Sequence, residues 1–462
     1  MLLSTWKYPL CQGACAHFYC RIRIAMTFSH RPLILLALLL APGFAGAELS
    51  ALNLGLDYKL RGVGIQNNDG LPDTQDSLSY YSHQARIYMN GWLNNDVEAG
   101  LRIQSINIWG LEGSTSAPVT RYPAADGTPW IEQVYVHMPN LIGKHLDLTI
   151  GRQSIVIGDG MLVSDDQLGF NALRAKVFLP AGVGLDLFTA KVQESLNGQK
   201  DSDLNGAVVG FNQGDNKWEL SWIQEENKSP SAYLLGGSTT TATRVSRTFY
   251  DLRLFGDLKD AYYKLEFAMG QGHSQTSAGD VKIQGIGEKI ELGAQSDTAR
   301  FGRFGVKALY ASGSGDDPGT TDKDESFRPA FAQRWDGLQR KGWGQHFGGT
   351  LSDGYDPNFP FSPTATGLPN GASGIKTLGF GIFTVQRVNW TGNIDYYTFD
   401  SRVKVPGSNQ KSIGAELDLG LAYRYTGYVT FGLGAATFFP GDVYGENVSK
   451  VTRYTAETEI HF

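Results

Sequence analysis

Two arginines stand out for the chemistry that their type and spacing allow. Arg86 and Arg102 fall on the polar register of two successive alternating runs, Ala85-Arg86-Ile87-Tyr88 and Val97-Glu98-Ala99-Gly100-Leu101-Arg102. A guanidinium is planar, forked and always charged. It can therefore replace the water around a passing carboxylate or phosphate with paired hydrogen bonds. The plainer role is structural, each arginine tying Glu98 or Gln104 into the same wall, and the residues alone leave both roles open. Arg152 is a third case. Alternation from Leu146, Leu148 and Ile150 puts it on the apolar side, where a charge costs about 2–4 kcal/mol near the middle of a bilayer. A bulge at Gly151 would turn it back to the polar side; otherwise it snorkels at a rim.

Further cations share the polar register: Lys59, Arg61, Arg174, Lys176, Arg253, Lys264, Arg303, Lys307, Arg424 and Arg453. So do the acids Asp57, Glu98, Asp147, Asp251, Glu266, Glu416, Asp418, Glu457 and Glu459. A wall with both signs implies cross-strand ion pairs as well as a path for a charged solute. The candidate solute-contacting set is Arg86, Arg102, Arg152, Glu98, Gln104, Arg174, Lys176, Arg253, Lys264 and Lys307. The small positive excess of the whole polar register, twelve cations against nine acids, favours anions. Catalysis finds little support. The histidines beyond residue 47 are His83, His137, His145, His273, His346 and His461. They form no H-x-x-x-H pair and no Ser/His/acid grouping. Asp165 and Asp166 crowd one segment, and Asp316, Asp317, Asp322 and Asp324 another. Neither matches a full calcium-ligand pattern, so they read as solvated loop acids. No metal, cofactor or enzymatic activity is expected.

The elements that position these residues read as strands. Leu52, Leu54, Leu56, Tyr58 and Leu60 interleave with Asn53, Gly55, Asp57 and Lys59. Tyr263, Leu265, Phe267 and Met269 interleave with Lys264, Glu266 and Ala268, and Ile413 to Tyr423 repeats the pattern. Period two over such lengths marks a strand with one apolar and one polar face. Each run approaches the roughly 9–11 residues that a tilted strand needs to cross a bilayer. Connections alternate in length. Short ones are read at 94–96, 139–145, 180–182, 213–216, 256–260, 296–300, 389–392 and 425–427. Long ones are read at 67–79, 110–129, 157–171, 194–203, 225–246, 271–280, 313–374, 403–411 and 440–449. This predicts an all-β fold: a transmembrane antiparallel β-barrel of about 18 strands, with short periplasmic turns and long extracellular loops. The longest loop, 313–374, carries Trp335, Trp343, Phe347, Phe359 and Phe361. A solvated spacer has no use for so many rings, so this loop is expected to fold onto something as a lid or constriction.

Both ends of the chain fit export to a bacterial outer membrane. Residues 1–47 read as a leader. Arg31 precedes the apolar run Leu33 to Leu40, and Phe44-Ala45-Gly46-Ala47 offers small residues for a signal peptidase. Cleavage is expected after Ala47, with Met26 as the natural start, leaving 48–462 as the barrel. All three cysteines, Cys11, Cys15 and Cys20, lie in the leader, which excludes disulfides from the rest. Removing the leader's Lys7, Arg21, Arg23 and Arg31 from 40 basic residues leaves 36 against 46 acids, a net charge of −10. Such a surface is no nucleic-acid footprint. At the other end Tyr454, Ala456, Thr458, Ile460 and Phe462 form one face of a last strand. A terminal Phe of this kind resembles the signal read by the barrel assembly machinery. Tyr58, Tyr80, Tyr81, Trp92, Trp109, Trp130, Trp218, Trp222, Tyr262, Tyr263, Trp390, Tyr423, Tyr425 and Tyr428 cluster near strand ends, as aromatic girdles at a membrane surface do.

The stretch from Tyr81 to Pro180 resembles the alginate-export family of outer-membrane proteins. The likeness rests on Ala85-Arg86-Ile87-Tyr88 and Val97 to Arg102, then Ile108-Trp109-Gly110 and Gln133-Val134-Tyr135-Val136. It continues through Leu146 to Ile150 with Gly151-Arg152-Gln153, and then Gly158-Asp159-Gly160-Met161-Leu162. Phe438-Phe439-Pro440-Gly441-Asp442 is similar too. The resemblance implies a monomeric barrel in a Gram-negative outer membrane, passing a polyanion such as alginate through an arginine-lined pore. The partners it implies are an anionic sugar or polysaccharide, outer-membrane lipid and lipopolysaccharide, and the assembly machinery at Phe462. A periplasmic export complex is a further candidate. The alternative is a porin for another small hydrophilic solute. The mixed charge of the wall departs from an arginine-dominated pore and leaves the cargo open.

Overall fold

The computed structural model describes residues 49–68, 77–93, 96–111, 123, 125–194, 201–228, 242–276, 279–298, 302–317, 319–320, 322–329, 331–351, 368, 372–385 and 389–462. The leader, the expected cleavage after Ala47, and Phe359 and Phe361 of the long loop lie outside them.

Among the described residues twenty-one strands follow one another. The first nine are β1 (Leu49–Gln66), β2 (Ser77–Leu93), β3 (Val97–Ile108), β4 (Trp130–Met138), β5 (Leu146–Gln153), β6 (Phe170–Phe178), β7 (Val183–Gln193), β8 (Ser202–Gln213) and β9 (Asn216–Asn227). Next come β10 (Ala242–Leu258), β11 (Ala261–Thr276), β12 (Gly279–Thr298) and β13 (Gly302–Gly313). Three two-residue strands, β14 (Lys323–Asp324), β15 (Trp335–Asp336) and β16 (Gln339–Arg340), belong to the long loop. The chain ends with β17 (Ile375–Val385), β18 (Trp390–Val405), β19 (Gln410–Arg424), β20 (Val429–Pro440) and β21 (Val451–His461). Without the three loop strands, eighteen remain. Each pairs antiparallel with its neighbours, and the sheet closes on itself through β1 and β21. Closure gives every wall strand a hydrogen-bonded neighbour on both sides, the condition for crossing hydrocarbon.

Alternation sorts the two faces. Leu54, Ile87, Ile150, Leu220, Phe267, Phe380, Leu419 and Leu433 point outward and stay exposed. Gln104, Glu225, Arg247, Asp251, Glu266, Glu416 and Asp418 point inward and are buried. The outer aromatic belt includes Tyr81, Trp109, Trp218, Trp390, Tyr425 and Tyr428. Trp109 lies against Tyr81 at 5.8 Å and Trp390 against Tyr423 at 4.5 Å. Trp130 departs from the expected belt: it is buried in an apolar cluster, with Tyr80 packed against it.

One end carries only short turns, with the start of β1 and the end of β21. The other carries the longer connections, with two corrections. The stretches read as loops at 271–280 and 403–411 are hairpins in which the strands run on, Thr276 pairing with Gly279 and Val405 with Gln410. Their polar residues sit on strand extensions beyond the apolar band, where alternation carries no hydropathy signal.

The seam supplies the first prediction. Leu56 N–H donates to the Phe462 carbonyl at 2.7 Å, and Phe462 N–H donates back to Leu56 at 3.0 Å, with the ring left exposed on the outer face. Phe462→Ala keeps these backbone bonds, so an effect on the finished wall should be small. On the reading of the terminal ring as an assembly signal, less folded barrel in the membrane and more periplasmic degradation are expected. The heat-modifiable band on a gel measures this, and an unchanged band would count against the terminal signal.

Candidate functional site

The arginines singled out by spacing meet at a residue that spacing did not single out. In the β3–β4 ladder Arg102 faces Gln133 but Ile103 faces Ile131, so Glu132 is an extra, bulged residue. The bulge turns its side chain inward, where it is only 2% exposed. Arg86 Nε lies 3.2 Å from Glu132 Oε2, and Arg102 Nη1 lies 3.5 Å from Oε1. Arg152 Nε donates to the Glu132 backbone carbonyl at 3.3 Å and to the Leu168 carbonyl at 2.8 Å. All three arginines thus converge on Glu132, two on its carboxylate and one on its backbone.

Gly151 carries a φ of 120°, but it shifts no register. Arg152 stays opposite Val134 and Asn171, on the parity of Ile150. The bulge expected at Gly151 therefore lies one strand earlier, at Glu132. Two backbone carbonyls satisfy Arg152 at the rim, and it ties β4 to the loop returning into β6. The sequence signal for Glu132 was the pair Glu132-Gln133, two adjacent polar residues that break the alternation.

The remaining candidates find individual partners. Gln104 is buried and accepts from Arg86 Nε at 2.5 Å and Gln84 Nε2 at 3.1 Å, so it positions Arg86 behind the surface. Glu98 accepts from the Tyr135 hydroxyl at 3.3 Å. Arg174 is held by Asp186 at 2.5 Å and 2.9 Å, and donates to the Ser154 carbonyl at 3.1 Å. Lys176 sits two residues further on and is exposed. Arg253 pairs with Asp159 and, at 3.0 Å, with Glu219. Lys264 lies 3.7 Å from Glu291, and Lys307 lies 2.8 Å from Asp395. Cross-strand pairing thus occupies most of the wall. Arg102 differs in its pairing: it shares a single carboxylate with Arg86, at 3.5 Å, and is the more exposed of the two. The side chain of Arg303 lies outside the described residues.

Two connections fold inward instead of away. Residues 154–169 place Ile155, Ile157, Leu162, Val163 and Leu168 in buried positions, and the long loop does the same with Phe327, Phe331, Trp335, Leu338 and Phe347. The two loops bind each other. Gln333 N–H donates to the Gly160 carbonyl at 2.7 Å, and Asp166 Oδ1 accepts from the Arg334 amide at 2.9 Å. Asp165 accepts from Gly169 N–H and the Ser154 hydroxyl. These two acids are therefore buried clamps, correcting their reading as solvated residues. Among the described residues no acid or histidine cluster could hold a metal.

Each loop also reaches the wall. Gly158 and Gly160 take left-handed φ values of 65° and 83°. A Cβ at Gly158 would lie 2.2 Å from the Glu266 carboxylate, so only glycine lets this tip press against β11. There Asp159 meets Arg253 and lies 3.9 Å from Lys289 of β12. From the long loop, Asp336 binds Lys59 at 3.0 Å and Arg61 at 3.7 Å. Burial alone would raise the Asp336 pKa, but these two cations hold it well below the usual carboxylate range. Glu416 accepts from the backbone amides of His346 and Phe347 at 2.6 and 2.9 Å, and Asp418 from Gln345 at 3.0 Å. Phe347 stacks 5.5 Å from Phe438 and lies 4.3 Å from Phe399, both wall residues. Burial, with Arg453 nearby, lowers the His346 pKa to about 3, so its ring is neutral and packs as an apolar wedge. The described part of the long loop is thus a constriction anchored on β19, two strands beyond its root on β17, and on β1, three strands further round the wall.

A closed eighteen-stranded barrel with a charged inner wall and inward loops belongs to the porin-like class of outer-membrane channels. Crystal structures of this class match it in fold. Pseudomonas aeruginosa OccK9 (OpdG) superposes with a TM-score of 0.55 at 12% identity, over 90% of this chain and 99% of that one. Pseudomonas aeruginosa OccK2 (OpdF), solved in complex with glucuronate, gives 0.53 at 13% identity over 90% and 98%. Acinetobacter baumannii OccAB1 gives 0.53 at 10% identity over 90% and 97%. No curated protein matches the sequence. A family model described as alginate export matches residues 50–352. The chain belongs to the alginate export family.

Proposed function

We propose that this barrel is a passive channel of the Gram-negative outer membrane for an anionic sugar or an anionic polysaccharide such as alginate. The observation that carries the reading is the Arg86–Glu132–Arg102 group. Two guanidiniums share one carboxylate, which leaves one net positive charge, and Arg102 is the exposed partner. A carboxylate passing Arg102 exchanges water for guanidinium donors and competes with a contact of only 3.5 Å to Glu132. Family membership and the glucuronate complex of OccK2 (OpdF) support a carboxylated sugar. The second reading is a porin for another small hydrophilic solute. It is favoured by the one-to-one pairing of Arg174, Lys307 and Lys264 with wall acids, which neutralises much of the positive wall.

Permeation separates the two. Liposomes carrying the purified barrel should admit glucuronate faster than glucose of similar size. Equal rates, or faster entry of the neutral sugar, would leave the general porin reading.

A further inference from the structure

The two inward loops and the wall line a half-open cavity of about 230 Å³. Its lining includes Lys289 from β12, Lys341, Trp343 and Gln333 from the long loop, and Asp159 from the Gly-Asp-Gly tip. We infer that this cavity binds one carboxylated sugar ring, as a site separate from Arg86 and Arg102; the ligand class rests on the function proposed above.

Three features converge. Lys341 is exposed, and its ammonium makes no ion pair with a described acid. Lys289 reaches Asp159 only at 3.9 Å, so its donors remain free for a second partner. Two lysines against one acid give the cavity a net positive charge. Trp343 is half-buried, packed on the loop core and fixed by reciprocal backbone bonds with Gly349 at 2.8 and 2.9 Å. An indole carried on this fixed backbone beside two lysines suits a pyranose ring, which offers one C–H-rich apolar face for stacking and one carboxylate. Gln333 and Asp159 supply donors and acceptors for hydroxyls. The cavity exists only while both loops are docked, since Gln333 N–H is bonded to Gly160 across it. A sugar held there would therefore also brace the constriction.

The test uses the purified full barrel in detergent, with glucuronate as the probe and glucose as the neutral control. Glucuronate should give a saturable change in tryptophan fluorescence, and glucose none. Lys341→Gln should weaken glucuronate about tenfold, the loss of one charge-assisted hydrogen bond. Trp343→Phe should remove most of the signal, while block of the single-channel current by glucuronate persists at a higher concentration. Heat-modifiable migration shows that both variants are folded. Unchanged half-saturation in Lys341→Gln together with an unchanged signal in Trp343→Phe would overturn the site. No response in a channel that still prefers anions would overturn the pocket alone. A normal response in a channel that prefers cations would overturn the transport reading and leave the pocket standing.

Discussion

Replacing residues 331–351 with a short Gly-Ser linker should raise single-channel conductance several-fold while the barrel still folds. The segment is rooted between β13 and β17, yet Asp336 is bound to Lys59 on β1 and the 345–347 amides to Glu416 and Asp418 on β19. Gln333 and Arg334 of the same segment bind Gly160 and Asp166 in the loop between β5 and β6, which is rooted on the opposite side of the wall, so the segment extends across the lumen. Phe331, Trp335, Leu338, Phe347 and Leu351 are all buried with it. Burying each large apolar side chain is worth about 1.5–3 kcal/mol, so thermal motion alone does not lift the segment out. The wall should survive its loss, because each wall strand keeps its backbone ladder to both wall neighbours, and the loop strand that pairs with the wall, β14 on β12, lies outside the replaced segment. Glu416 would lose two donors, but in a lumen newly open to water it can be solvated. Planar-bilayer recording reads the result directly. Unchanged conductance in a heat-modifiable variant would show that solute passes elsewhere and that the loop is packing alone. Glu416→Ala, which removes the acceptor for two loop amides, should give a weaker form of the same effect.

The barrel was legible because its physics is local. Period two across Leu52 to Leu60 or Ile413 to Tyr423 fixes which face meets lipid, and the turn residues between runs count the strands. The pairing of Arg86 with Arg102 was legible for the same reason, since both keep parity. Glu132 was not, because a bulge cancels parity at the residue where it occurs. The direction of the loops was hidden too. Ile155, Ile157, Leu162 and Val163 lie between turn residues and have no strand-like repeat to declare a face. Their burial depends on Phe331 arriving from the distant long loop to meet Phe170 at the start of β6; these two rings meet edge-on at 5.5 Å. Asp165 and Asp166 looked solvated for that reason. A carboxylate beside a loop glycine reads the same whether it faces water or clamps a neighbouring loop.

Arg102→Glu should shift the reversal potential in a salt gradient strongly toward cations. The wild-type group holds two guanidiniums and one carboxylate. The variant holds one guanidinium and two carboxylates, so the local charge changes by two units and its sign inverts. Low-dielectric walls focus the field of a few charges in a pore, so this reversal outweighs a net −10 spread over the chain after residue 47. Glu132 itself sits in a bulge behind the surface, and Arg86 remains to neutralise it. The barrel should therefore still fold. At ~1 M salt the Debye length is ~3 Å and the difference between the two proteins should shrink.

The most direct test is the reversal potential of the unmodified channel in a gradient of dilute potassium chloride. An anion-selective value is expected, although the chain is acidic overall. Cation selectivity at low salt would contradict the account, because the partly exposed guanidinium of Arg102 would then not govern the passage.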